Sequence, residues 1–291
     1  MSSLILPSNY MLNRRYIITD LIGQGGFGIT YRAYDTKRNI YRCIKELFVN
    51  GSSSRMNDYS VHSLPIMGFS FGDLVMRFIE EAQNLSKFTH PNIVDVRGVF
   101  QENGTAYMVL EYLEGVTVAS YLKKQGKMPV PMAVEISMQI LKALSIVHGE
   151  QMLHRDIKPD NIILTPDSRA VLIDFGSSRL FDFENNENHT AILSPGYAPL
   201  EQYSENSPKH PSTDIYAIGA TLYHMLTGYQ PASSPERIQH RLPMPHEICS
   251  EVGTVLSSIV MLCMELKMED RMDSADELMD ILQSYLHSNT Y

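Results

Sequence analysis

Cysteine is scarce in this 291-residue chain, and the three present, Cys43, Cys249 and Cys263, are odd in number and lack any metal-ligand spacing. That excludes a disulfide framework and points to a reducing compartment, with the cytoplasm as the expected location. Basic residues are in deficit too. Lys and Arg number 24 against 33 Asp and Glu, a net charge of −9, which argues against nucleic acid or an anionic membrane surface as the main partner. No apolar run approaches the roughly 18 residues that span a bilayer. The opening MSSLILPSNYMLNRRY has no basic start followed by a full apolar core, so neither membrane anchor nor signal peptide is expected. Internal repeats are absent. What the chain does have is apolar substance, 44% of its residues, enough to bury a substantial core as one large domain or two lobes.

From Tyr16 to about Leu47, and again from Ile93 to Tyr112, short β-branched and aromatic runs separated by Gly, Asn and Asp predict an antiparallel sheet. Between them, DLVMRFIEEAQNLSKF (73–88) carries the helical stripe Leu74, Phe78, Leu85 and Phe88, with Asp73 as the expected N-cap. Glu81 falls on that stripe, whereas Glu80 shares the polar face with Arg77, Asn84 and Lys87. An inward carboxylate needs a cation. Residues 48–72 show no steady period and many Gly and Ser, which predicts a long loop or insertion. Beyond Gly115 the pattern turns helical, in AVEISMQILKALSIVHG, TDIYAIGATLYHMLTG and VLSSIVMLCMEL.

Several stretches carry more polar chemistry than folding requires. In LHRDIKPDNIIL (153–164), Asp156, Lys158 and Asn161 lie between apolar residues, and Pro159 breaks any helix, so they occupy a loop. A turn needs Asp, Asn or Pro, but not His154, Arg155 and Lys158 as well. IGQGGFGIT (22–30) sets Gly23, Gly25 and Gly28 in G-x-G-x-x-G spacing. Such glycines let backbone N–H groups approach phosphates, and the same spacing also marks ordinary hairpin turns. The strand-like TYRAY that follows argues against a dinucleotide-binding fold and a Walker loop. Lys45, in YRCIKEL, shares a strand face with Cys43, opposite Ile44; an isolated Lys there would ordinarily face solvent. AVLIDFGSSR ends an apolar strand on Asp174. A strand-end Asp before Gly is commonly a turn, yet Asn161 and Asp174 together offer two hard oxygens suited to Mg²⁺ carrying a nucleotide's phosphates.

Taken in order, the glycine loop, CIK, HRDIKPDN and DFG resemble the signature set of a eukaryotic-type (Hanks-type) protein serine/threonine kinase over about residues 16–286. The resemblance implies an α+β, bilobal protein-kinase-like fold. Residues 1–15 would be an N-terminal extension to a kinase domain at 16–291. That domain would comprise a small antiparallel-sheet N-lobe with one helix (about 16–110), a hinge (about 111–115) and a larger, mostly helical C-lobe (about 116–286), with the insertion at about 48–72. Implied cofactors are ATP and Mg²⁺. Gly23, Gln24, Gly25, Gly26, Phe27 and Gly28 would cover the phosphates, with Ile22 also binding the cofactor, Lys45 would hold the α and β phosphates, and Glu81 would pair with Lys45. Asn161 and Asp174 would bind Mg²⁺, Asp156 would accept the substrate hydroxyl's proton, and Lys158 would neutralise charge on the transferred phosphoryl group. Leu110 would back the adenine pocket, with the backbones of Glu111 and Leu113 bonding the adenine edge, and Ser194 of SPGY would lie beside the substrate. Asp214 and the pair Glu201 with Arg271 match internal braces.

Departures from the family pattern place Cys43 where Ala is usual and Thr30 where Val is usual, both lining the adenine site, and APLE for Ala-Pro-Glu. With GGFGITY and IKEL, that variant resembles a bacterial subgroup. The implied function is transfer of the γ-phosphoryl group of ATP to serine or threonine hydroxyls of proteins, including autophosphorylation. The alternative from another class is a catalytically silent kinase-like scaffold or nucleotide-binding module; silent members usually lose a catalytic residue, and here all are present. Small-molecule kinases usually lack a stretch like SPGYAPLEQY. Thr190 is a candidate phosphosite, since a phosphate there would meet Arg155, with Arg179 as a second contact.

Overall fold

The structure, a computed structural model, describes residues 4–66, 68–175, 193–204 and 210–288. It divides into two compact units, one of Met1–His90 with Val94–Leu113 and one of Pro91–Ile93 with Glu114–Tyr291.

The first unit is a six-stranded antiparallel sheet. Its strands are β1 (Met11–Leu12), β2 (Tyr16–Gln24), β3 (Gly28–Asp35), β4 (Ile40–Leu47), β7 (Val96–Glu102) and β8 (Thr105–Glu111), in the order β1-β2-β3-β4-β8-β7. A separate hairpin pairs β5 (Ser53–Arg55) with β6 (Val61–Ser63), so the stretch 48–72, which reads as a loop, holds two short strands. Helix α1 (Phe71–Leu85) packs on β7 and β8. Its cap is Ser70, not Asp73. The Ser70 side chain accepts from the Asp73 backbone N–H, and the Asp73 carboxylate accepts from the Ser70 N–H, a reciprocal capping box that starts the helix three residues earlier. Leu74, Phe78, Glu81 and Leu85 are buried on one face, and Glu80 is exposed.

Alternation along β4 buries Arg42, Ile44 and Glu46 on one face and leaves Cys43 and Lys45 half-buried on the other. The buried face is covered by parts of the chain that no sheet pattern announces. Leu6 and Leu12 from the N-terminal segment, together with Val61 from the hairpin, join Ile18, Ile29, Tyr31, Ile44, Phe48, Tyr107 and Val109 in one apolar cluster. Beneath them Glu46, fully buried, accepts from the Tyr31 hydroxyl at 3.0 Å, the Tyr107 hydroxyl at 2.8 Å and Arg55 Nη2 at 2.6 Å. Arg55 is itself buried and donates to the carbonyls of Leu4 and Tyr59. Burial with Glu46 close by pushes the Tyr31 and Tyr107 hydroxyls well above the ordinary tyrosine range, so both stay protonated as donors. Arg55→Met therefore leaves Glu46 as an uncompensated buried charge. We expect a loss of about 3–5 kcal/mol in urea unfolding, largely recovered in the double variant Arg55→Met with Glu46→Gln; an Arg55→Met protein as stable as wild type would remove the pair from any stabilising role.

The second unit contains the three-stranded sheet β11-β10-β9, from β9 (Val116–Thr117), β10 (Ile162–Leu164) and β11 (Ala170–Leu172), with helices α2 (Val118–Gln125) and α3 (Val130–Gly149). After it come α4 (Ser212–Thr227), α5 (Ser234–Arg237), α6 (Pro245–Ile248), α7 (Thr254–Cys263) and α8 (Ala275–Ser288). Helix α3 is long and apolar enough to cross a membrane by length and composition, although no uninterrupted apolar run reaches that length. It packs against α4 and α8, burying Val134, Ile140, Leu141 and Leu144. Helix α4 is buried all round. Gly219 makes its contact with α7 possible, since a Cβ there would lie 2.5 Å from the Cys263 Cβ.

Candidate active site

The loop before β10 is held by a buried carboxylate on the first turn of α4. Asp214 accepts the backbone N–H of His154 at 2.8 Å and of Arg155 at 2.7 Å, and His148 Nε2 donates to it at 2.9 Å. Burial alone would raise the Asp214 pKa, but the hydrogen bond from His148 and the Arg155 backbone donor hold it below the usual carboxylate range. Anchored in this way, Arg155 takes a left-handed φ of 67°, and Asp174, past the end of β11, takes 59°. Such backbone is costly for residues other than glycine, about 1–3 kcal/mol each, and clusters where surrounding contacts over-determine it for a purpose.

His154 joins the two strained points. Fully buried, it is kept neutral by desolvation, which lowers its pKa. Its tautomer follows from its partners: the Ile173 carbonyl can only accept, so Nε2 donates at 3.1 Å, and the Asp156 backbone N–H donates to Nδ1 at 3.2 Å. The imidazole thereby fixes the spacing between the chain at Asp156 and the residue before Asp174. Phe175, buried, lies 4.5 Å from the His154 ring centroid. The resemblance assigns His154 no role, and its excess polarity in a turn is the one signal of it in the sequence.

Around Asp156 the side chains converge. Lys158 Nζ donates to both carboxylate oxygens at 2.9 and 2.8 Å and to Ser194 Oγ at 2.7 Å. The Ser194 hydroxyl donates to Asp156 Oδ1 at 2.6 Å. Asn161, in a short 3₁₀ turn at Pro159–Asn161, donates from Nδ2 to the Asp156 carbonyl at 2.7 Å and to Oδ2 at 2.9 Å. Both amide hydrogens are thus spent on Asp156, which leaves Oδ1 of Asn161 as the atom free to face a cation. The Asn161 carbonyl also accepts from the Ile173 N–H at 2.9 Å, bringing the chain segments that carry Asn161 and Asp174 alongside each other. A carboxylate, a hydroxyl and a cation within hydrogen-bond reach can take a proton from one oxygen and steady charge on another.

In the sheet unit, the glycine segment forms the turn between β2 and β3, with the Gly25 N–H donating to the Gly28 carbonyl at 2.9 Å. The hairpin-turn and phosphate-covering readings are therefore both compatible with its shape. The Gly26 carbonyl accepts from Asn50 and the Phe27 carbonyl from Phe48. A Cβ on Gly28 would lie 3.0 Å from the Glu46 carbonyl and 3.5 Å from the Lys45 side chain, so glycine eases the close approach to the Glu46 carbonyl, whereas Lys45 lies at ordinary contact distance. Thr30 pairs with Lys45, and Cys43 pairs with Leu110 in the ladders flanking β4. Ile22 is exposed, Leu110 is buried, and Glu111 and Leu113 are half-buried. The Glu111 N–H is taken by the Asp95 carbonyl at 2.9 Å.

The protein kinase domain profile matches residues 16–291. The chain belongs to the protein kinase domain family. It is similar to a probable serine/threonine-protein kinase of Clostridium acetobutylicum, 28% identical over a 281-position alignment that covers 94% of this chain and 40% of the relative. Serine/threonine-protein kinase PknA of Nostoc is 29% identical over 282 residues, 94% of this chain and 48% of PknA. The chain thus spans less than half the length of these relatives. Among solved structures, the apo form of PpkA-294 superposes with a TM-score of 0.83 at 34% identity, covering 96% of this chain and all of that one. Both curated relatives are bacterial kinases, in keeping with the subgroup that APLE and IKEL resemble.

Within the kinase frame, Glu201 and Arg271 form a bidentate pair at 2.6 and 3.0 Å. Arg271 spends its other donors on the carbonyls of Glu265, Leu266 and Ser212, which suits a brace. Gln202 Nε2 adds a hold on the Arg155 carbonyl at 2.8 Å, a contact with no separate mark in the sequence. Thr190, Arg179 and Gly176 lie outside the described residues. Among the described residues, no group of three or more His, Cys, Asp or Glu is placed to hold a metal ion.

Proposed function

We propose that this chain transfers the γ-phosphoryl group of ATP to serine or threonine hydroxyls of protein substrates. The observation that carries this reading is the convergence of Lys158 Nζ, Ser194 Oγ and Asn161 Nδ2 on the Asp156 carboxylate. In it, Asp156 accepts the proton of the attacking hydroxyl, and Lys158 steadies negative charge on the transferred group. Ser194, already hydrogen-bonded to both, marks where a hydroxyl meets them. Asn161 through Oδ1 and Asp174 would supply two oxygens to Mg²⁺, and a nucleotide's phosphates and water would complete its shell, the ligand set this ion favours. When bound, Mg²⁺ supplies charge neutralisation at the phosphates. Lys45 and Glu81 serve the nucleotide's phosphates from the sheet unit, the glycine turn covers them, and Thr30, Cys43, Leu110, Glu111 and Leu113 shape the adenine site.

The test is γ-labelled ATP with Mg²⁺ and a general protein substrate, comparing wild type with Asp174→Ala. Transfer by wild type to Ser and Thr, falling about 100-fold or more in the variant with circular dichroism unchanged, is expected. A silent scaffold would transfer nothing in either form, and equal rates would remove Asp174 from the metal site.

A further inference from the structure

Cys249 caps the C-terminal end of α6, and none of the chemistry above uses it. Its Sγ lies 3.0 Å from Lys127 Nζ, and the same Nζ lies 2.9 Å from Glu251 Oε2. Both backbones are pinned. On the Lys127 side, the Met128 N–H donates to the Met225 carbonyl at 2.7 Å, and Gly228 approaches Gly126 so closely that a Cβ would be 2.6 Å from the Gly126 carbonyl. On the other, the Cys249 N–H donates to the Pro245 carbonyl at 2.8 Å, and the Cys249 carbonyl accepts from Val252 at 3.1 Å. Cys249 is 8% exposed, beneath the Lys127 and Glu251 side chains, which are 44% and 72% exposed. Both partners of the sulfur are thus open to solvent, which sets the buried thiol at the border of the surface.

We infer that Cys249 and Lys127 form a peroxide-sensitive modification site that closes into a reversible sulfur–nitrogen cross-link. The sulfur thus has the Lys127 ammonium at 3.0 Å and Glu251 Oε2 at 3.7 Å, and the thiolate is the form that attacks peroxide. Glu251 foremost, and Cys249 after it, hold the Lys127 pKa above its ordinary value, so the cation is present at neutral pH. The Cys249 thiolate attacks hydrogen peroxide, the O–O bond breaks, one oxygen passes to sulfur and hydroxide leaves. Sulfur is oxidised by two electrons, peroxide is reduced by two, and Cys249 becomes a sulfenic acid. The Lys127 ammonium then gives one proton to the Glu251 carboxylate, 2.9 Å away, and its nitrogen attacks the sulfur. The S–O bond breaks, the leaving oxygen takes a second hydrogen from nitrogen and departs as water, and an S–NH bond remains. A thiol reductant reopens the link. The other thiol of the helical unit is a built-in contrast: Cys263 is buried in the α4–α7 contact, its thiol pushed up to about 12 by desolvation, and it should stay inert.

The experiment treats the full chain with hydrogen peroxide, then maps peptides with and without prior reduction. In wild type, the peptides carrying Lys127 and Cys249 should be joined and two hydrogens lighter than their sum, and separated by reductant. Cys249 should react at least about tenfold faster than Cys263. Lys127→Arg keeps the positive charge and the fold but offers no condensing amine, so a sulfenic acid should persist at Cys249, trapped by dimedone, with no joined peptide. The proposal is overturned if wild type yields no joined peptide, if Lys127→Arg gives the same products as wild type, or if Cys249 oxidises no faster than Cys263.

Discussion

Asp156→Asn is expected to lower kcat by about 10²–10⁴-fold while leaving the KM for ATP within a few-fold of wild type. The carboxylate accepts from the Ser194 hydroxyl at 2.6 Å, from Lys158 Nζ at 2.9 and 2.8 Å and from Asn161 Nδ2 at 2.9 Å. Each of these three side chains is a donor to it. An asparagine keeps one acceptor oxygen and turns an NH₂ toward at least one of those donors, and it can no longer accept a proton at neutral pH. The base is lost outright, and Lys158 loses the charge that holds it in place. None of the residues assigned to nucleotide in the sheet unit, Lys45, Thr30, Cys43 and Leu110, is altered, so the loss should fall on kcat rather than on KM. Steady-state rates at saturating and sub-saturating ATP separate the two. A fall of less than tenfold would show that Asp156 does not act as the base.

Part of this arrangement is legible in the amino-acid order alone. The loop with Asp156 and Asn161 stands out because a turn has no need of His154, Arg155 and Lys158 as well, and Glu81 because helical spacing puts a carboxylate on an apolar stripe. These are local signals, read within one turn or one helix face. The contacts that set the geometry are not local. Arg55 lies in GSSSRMNDYS, which reads as polar loop; it is buried only because the segment around Leu4–Leu6 and the hairpin fold over the sheet face that carries Glu46. Likewise Asp73 reads as a cap because it is the first acidic residue before the stripe. Ser70, three residues earlier, is the cap because the two side chains satisfy each other's backbone, a reciprocity that a search for one capping residue misses. His154 and Gln202 act through carbonyls, Ile173 and Arg155, and carbonyl partners leave no mark in a side-chain pattern.

Asp214 is the position where one atom should matter most to the shape of the site, although it touches no substrate. Its two oxygens accept three donors: Oδ2 from His148 Nε2 and the His154 N–H, and Oδ1 from the Arg155 N–H. Asp214→Asn changes volume hardly at all, but whichever way the amide turns, its NH₂ faces at least one buried N–H. A donor opposed to a donor in a site with no exposure leaves both unsatisfied, at about 1–3 kcal/mol for the group and more because a charge is removed from a network built around it. We expect a loss of about 2–4 kcal/mol in urea unfolding. We also expect kcat to fall by about 10–100-fold, because Arg155 is released from its left-handed backbone and Asp156, the next residue, shifts with it. The pH dependence carries its own sign. The folded-state pKa of Asp214 lies below the ordinary carboxylate value, so its contribution to stability is complete at neutral pH and fades as pH drops below about 4. The gap between wild type and Asp214→Asn should therefore be constant from about pH 5 to 7 and narrow in acid. Unfolding curves across that range, with rates measured on the same preparations, test both halves. A variant as stable as wild type at neutral pH, or a gap that widens in acid, would mean that the catalytic loop is held by something other than this carboxylate.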